Sequence, residues 1–132
     1  MKNLINSIEK MTKDLIWLDD IRNPFDKKWF DVWSKLGKFD RVIWVQNYKQ
    51  FINWFSEHVD NTIHICFDHD IASFHDEQEF TGYDAAKYVI EYCMDNNKPL
   101  PGYSCHSDNG PGKENILSLL NNFKNFQNNN KL

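Results

Sequence analysis

Three short clusters carry the side chains with chemistry to do: Asp19-Asp20, Asp68-His69-Asp70, and His106-Ser107 with Asn109, Gly110, Pro111, Gly112 and Lys113 just beyond. Carboxylates brought together repel one another unless a cation or a proton lies between them, and hard oxygen donors favour Mg²⁺ or Mn²⁺. Imidazole from His69 or His106 would tilt that preference toward Mn, Fe or Zn. The economical expectation is a divalent metal held by Asp19, Asp20, Asp68 and Asp70, with Asp68, His69 and His106 as catalytic groups. The competing reading is that these acids cap helices or pair with Lys113 or Arg22, which accounts for a single Asp better than for a cluster. Glycines ahead of a helix N-terminus let backbone N–H groups approach an anion. Ser107, Asn109, Gly112 and Lys113 are therefore the expected phosphate contacts, although the glycine spacing fits neither the P-loop nor the dinucleotide fingerprint.

Convergence of the three clusters depends on the elements that precede them. DLIWL (14–18), RVIWV (41–45) and TIHICF (62–67) are short, largely apolar runs that read as buried strands, and LPGYSCHS is a fourth. Between them the apolar spacing is helical. Trp29, Trp33 and Leu36 follow Asn23-Pro24 and stop at Gly37; Phe51, Trp54, Phe55 and His58 form one stripe. A third helix is expected over 83–97, and a last one after NGPGKE with Ile116, Leu119, Leu120 and Phe123 inward. Residues 71–82 read as a polar, acidic loop. This alternation predicts a three-layer α/β domain, a short parallel sheet flanked by helices with right-handed crossovers. In such sheets ligands bind outside the carboxyl ends of the strands. Each acidic or histidine cluster directly follows strand one, three or four, so all should meet at one edge. The expected division is a helical appendage over 1–13, the α/β domain over 14–126 and a disordered tail over 127–132.

Thirteen Lys and two Arg in a chain of net charge −4 lack the basic footprint of a duplex-DNA-binding protein, so a nucleic-acid substrate should be a small nucleotide or an RNA end. Cys66, Cys93 and Cys105 are an odd count without CxxC spacing, which suits buried free thiols in a reducing compartment. No run has the length of a signal-peptide core or a membrane span, and a cytoplasmic location without membrane contact is expected. Sixteen Asn beside the Lys content suggest an AT-rich genome, as in many phages and low-GC bacteria. His58 and His64 read as core or boundary residues, and His75 as solvated. Trp17, beside the acid pair, is the best of the five Trp as a base-stacking platform, although burial competes with that role. Nothing in the composition fixes an oligomeric state.

The motifs LDDIRNP (18–24), FDHD (67–70), TGYDAAKYV (81–89) and CHSDNGPGKENI (105–116) together resemble the cyclic-phosphate-processing receiver-like domain, a divergent branch of the response-regulator receiver (flavodoxin-like) fold. The resemblance implies that Asp19 and Asp20 are metal ligands, Asp68 a third ligand or a phosphoryl acceptor, and Ser107 the hydroxyl residue of the fourth strand. Two departures stand out: no fifth strand carries the receiver's lysine, and Gly110 precedes Pro111 in the HSxNPxG-like turn. His69, Asp70 and His106 are groups that an ordinary receiver does not need. The leading expectation is a metal-dependent phosphoesterase acting on a cyclic phosphate of a nucleotide or RNA end, in a phage setting an anti-defence protein. The alternatives are a non-catalytic module that sequesters a cyclic nucleotide signal and a degenerate phospho-acceptor receiver.

Overall fold

The computed structural model describes residues 12–130. The expected N-terminal helix lies, up to Met11, outside the described residues. Six strands and four helices follow: β1 (Asp14–Leu18), α1 (Lys27–Trp33), β2 (Arg41–Val45), α2 (Tyr48–Glu57), β3 (Thr62–Phe67), β4 (Ser73–His75), β5 (Gln78–Phe80), α3 (Gly82–Asp95), β6 (Gly102–Cys105) and α4 (Gly110–Asn129). Four strands form one parallel sheet in the order β2-β1-β3-β6. That is the receiver order without a fifth strand among the described residues.

β1 has a partner on each side and helical layers above and below, so all five of its residues are buried and its sequence is continuously apolar after Asp14. Asp14 tolerates this because the register sets it beside Arg41, whose Nε and Nη2 donate to its two oxygens at 2.8 and 2.7 Å. On one face Ile16, Leu18, Ile65 and Phe67 pack with Phe51 and Phe55 of α2, Val89 of α3, and Ile116 and Leu120 of α4. On the other face Leu15, Trp17 and Cys66 meet Trp29 and Trp33 of α1, with Phe39, Val42 and Trp44.

Three local expectations need correction. α1 begins at Lys27 rather than after Pro24, because the Asn23 side chain accepts from Phe25 N–H at 2.8 Å and closes a turn of its own instead of capping the helix. The 71–82 segment contains the antiparallel β4–β5 hairpin, joined through Asp76 and Glu77, both at positive φ as a two-residue hairpin turn requires. It docks on the start of α2, where Tyr48 stacks on Phe80 and its N–H donates to Ser73 Oγ. The tail expected from 127 is instead helix as far as Asn129. Gln127 holds that last turn down by donating to Lys98 C=O at 2.9 Å and accepting from Leu100 N–H at 3.0 Å.

Candidate active site

The sheet ladder runs one rung past the ends of its strands. Asp19 N–H donates to Val45 C=O, Asp68 N–H to Leu18 C=O and His106 N–H to Phe67 C=O, at 3.0–3.1 Å. Asp19, Asp68 and His106 are therefore fixed as neighbours at the carboxyl edge of β1, β3 and β6, as their positions after the strands predicted. Oxygens of Asp19, Asp20 and Asp68 lie within 4.8 Å of one another. Asp19, Asp20, Arg22, Asp68, Asp70 and Ser107 contribute to the wall of a cavity of about 240 Å³.

Burying Asp19 works against its ionisation, but hydrogen bonds outweigh that cost. His106 Nε2 donates to Oδ2 at 2.9 Å, and the Arg22 and Ile21 N–H groups donate to Oδ1 at 2.8 and 2.9 Å, so the carboxyl is held below its ordinary range. Asp68 is pushed the other way, first by burial and then by the charge of Asp19, against the His69 N–H that donates to it at 2.9 Å. A carboxyl that resists ionisation beside one that holds its charge follows from burying two like charges side by side. Three convergent hard oxygens suit Mg²⁺ or Mn²⁺.

His106 faces inward. Its side chain is 6% exposed, its ring stacks on Trp17 at 3.9 Å and 9°, and Nδ1 is buried without a hydrogen-bond partner among the described residues. The expectation that it moves protons to substrate does not fit this placement: Nε2 is committed to Asp19 and the ring to Trp17. Trp17, fully buried, is likewise a support rather than a base platform, and its Nε1 donates to Arg22 C=O. Trp44 Nε1 donates to Asp19 C=O at 2.8 Å.

His69 is different. Its Nδ1 lies 2.8 Å from Asp70 Oδ1, and the carboxylate, held below its ordinary range by that bond and by Asn109, fixes the proton on Nδ1. Nε2 carries no hydrogen bond among the described residues, and Asn109 Nδ2 lies 3.4 Å from Nδ1. Asp70 thereby orients the His69 imidazole, and the group of three convergent carboxylates does not include it, contrary to its expected place among the ligands.

The expected phosphate cradle is largely engaged in structure. Gly112 N–H donates to Asn109 Oδ1 at 3.0 Å, the N-cap of α4, and Asn109 Nδ2 donates to Asp70 at 3.2 Å. A Cβ on Gly112 would sit 2.5 Å from the His69 ring, so the glycine admits the imidazole and not an anion. Lys113 is exposed and, like His69, lies off the cavity wall, whereas Asn109 and Ser107 line it and Ser107 accepts from Asn109 N–H. Gly82 serves the same kind of packing: its N–H donates to His69 C=O, and a Cβ there would meet Asp68 O at 1.7 Å. Arg22, read from sequence only as a possible ion-pair partner, stands inside the site. Its place three residues after Asp19 in one loop was the available signal.

A larger cavity lies elsewhere. A groove of about 1050 Å³ runs beside β6, past Met94, Leu100, Tyr103 and Phe126, but no carboxylate lines it among the described residues, so it lacks the acid–base pairing found at the sheet edge.

The family model of the cyclic-phosphate processing receiver domain matches residues 15–122, from β1 into α4 and across every residue of the site. The chain belongs to this family. No curated protein and no solved structure matches the chain. In this cyclic-phosphate processing receiver domain the His69–Asp70 pair stands at the same sheet edge as Asp19, Asp20 and Asp68. No helix among the described residues is long and apolar enough to cross a membrane.

Proposed function

We propose that the domain is a metal-dependent phosphoesterase that opens a cyclic phosphate on a nucleotide or RNA end. The observation that carries the reading is the His69–Asp70 pair set one residue from the acidic group of Asp19, Asp20 and Asp68. Asp19, Asp20 and Asp68 would hold Mg²⁺ or Mn²⁺, which would supply Lewis acidity toward a phosphoryl oxygen. Asp19 is presented to the ion by His106 and the loop N–H groups. His69 Nε2 accepts a proton from the attacking water while Asp70 steadies the imidazolium at Nδ1. The water oxygen bonds to phosphorus, one ring P–O bond breaks, the freed ribose oxygen takes a proton from solvent water at the open mouth of the cavity, and His69 returns its proton to solvent. Ser107, on the wall, offers its hydroxyl to the phosphate.

A cavity of about 240 Å³ is smaller than the ~300–1,000 Å³ of sites that enclose a whole ligand. That size supports entry of the phosphate ring alone, with the base and any further nucleotides outside, and favours a terminal cyclic phosphate.

Product analysis tests this reading. The purified chain is incubated with a panel of cyclic nucleotides and 2′,3′-cyclic-phosphate RNA ends in Mg²⁺, Mn²⁺ or EDTA, beside His69→Gln. Turnover should appear with metal and fall by about 10²- to 10⁴-fold in the variant. Ligand recovered intact from a tight complex, equally in both proteins, would instead favour the sequestering module, which needs no oriented base.

A further inference from the structure

Arg22 is pinned by its backbone and shared by its side chain. Its N–H donates to Asp19 Oδ1 at 2.8 Å and its C=O accepts from Trp17 Nε1 at 2.9 Å. Nη1 lies 3.4 Å from Asp19 Oδ2 and 3.6 Å from Asp68 Oδ2, so one guanidinium edge serves the two buried carboxylates that the proposed function gives to a divalent ion. Nη2 lies 2.6 Å from Asp108 Oδ2, on a side chain 88% exposed at the rim, and Cζ sits 5.2 Å from the centre of the Trp29 ring. The side chain is thus held at both ends: inward by acids that a metal would claim, outward by an acid and an aromatic face that it would not.

We propose that Arg22 is a built-in counter-ion that competes with the divalent ion for Asp19 and Asp68 and, once displaced from them, stays at the rim on Asp108 and Trp29 to receive the substrate phosphate. The physical ground is charge accounting. A divalent ion ligated at ~2.1 Å by oxygens that also face Nη1 would stand close to a guanidinium of the same sign. The guanidinium must loosen its hold on those oxygens, and its fork remains suited to a phosphate oxygen pair. Arg22 therefore opposes the ion and favours the anion. A merely structural arginine would lower both affinities when removed.

The inference rests on the metal reading, and the test separates the two. Mn²⁺ affinity of the full chain is measured by calorimetry for wild type, Arg22→Gln, Arg22→Lys and Asp68→Asn, followed by inorganic phosphate affinity of the Mn²⁺-saturated proteins. Arg22→Gln should tighten Mn²⁺ by roughly fivefold or more and weaken phosphate by a similar factor. Arg22→Lys, which keeps the charge without the fork, should fall between it and wild type on both scales. Weaker or unchanged Mn²⁺ binding in Arg22→Gln, with Mn²⁺ binding present in wild type and lost in Asp68→Asn, overturns the competition alone. No Mn²⁺ binding in either wild type or Arg22→Gln overturns the metal reading and the competition together.

Discussion

His106 Nε2 donates to Asp19 Oδ2 at 2.9 Å while its ring lies flat on Trp17, 3.9 Å away. This pair turns a histidine at the mouth of a strand into a support for the acid on the neighbouring strand but one. Trp17 stacks on the imidazole, Trp44 holds the Asp19 carbonyl, and the carboxylate is oriented by His106 and the Ile21 and Arg22 N–H groups. The arrangement repeats the logic of carboxylate–histidine support around metal ligands, with the order inverted: here the imidazole orients a carboxylate.

His106 should therefore act on metal affinity and leave proton transfer alone. His106→Leu should weaken Mn²⁺ binding by about 10- to 100-fold, and His106→Gln, whose amide can still donate toward Asp19, should recover much of that loss. Calorimetric titration measures it. If His106→Gln instead keeps full Mn²⁺ affinity and loses the basic limb of the pH–rate profile, His106 is the proton carrier.

Gly112→Ala separates packing from phosphate binding. The added Cβ falls 2.5 Å from the His69 ring and must push the imidazole aside, at a cost of about 1–3 kcal/mol in urea unfolding. Turnover should drop at least tenfold with Mn²⁺ affinity unchanged, because Asp19, Asp20 and Asp68 do not touch Gly112. A rise in KM without a change in kcat would show that the position touches substrate after all.

His64 should make stability pH-dependent. Burial lowers its pKa in the folded chain, while Nε2 stays paired with Ser104 Oγ at 3.1 Å. As pH falls below the ordinary histidine value of about 6.5, the unfolded chain takes the proton first. The stabilisation is thus complete above that pH and is lost as pH drops through the folded value. The urea midpoint of wild type should fall more steeply between pH 7 and pH 5 than that of His64→Gln; parallel curves would assign the loss to other groups.

Most of the fold is legible in the sequence because β1, and β3 from Ile65 onward, are buried and leave apolar runs that end at Asp19 and Asp68. The carboxyl-edge rule then brings the three clusters together with no further information. What the sequence hides is direction. Nothing in His106-Ser107 tells that the imidazole turns down onto Trp17, since that depends on a ring from another strand. Gly112 looks like a phosphate glycine until the His69 ring occupies the space of its missing Cβ. The β4–β5 hairpin is masked because each strand is three residues long and its turn is Asp-Glu, without the Asn-Gly signal. The helical end of α4 depends on Gln127 reaching Lys98 and Leu100, a contact across 27 residues or more.

The most direct test of the account is the rate of ring opening of a 2′,3′-cyclic-phosphate RNA end by the purified chain, after chelation and again after Mn²⁺ is restored, with Asp68→Asn in parallel. The account predicts turnover that vanishes on chelation, returns with Mn²⁺ and is absent from Asp68→Asn under both conditions. Turnover that persists in EDTA, or that Asp68→Asn retains, would contradict it.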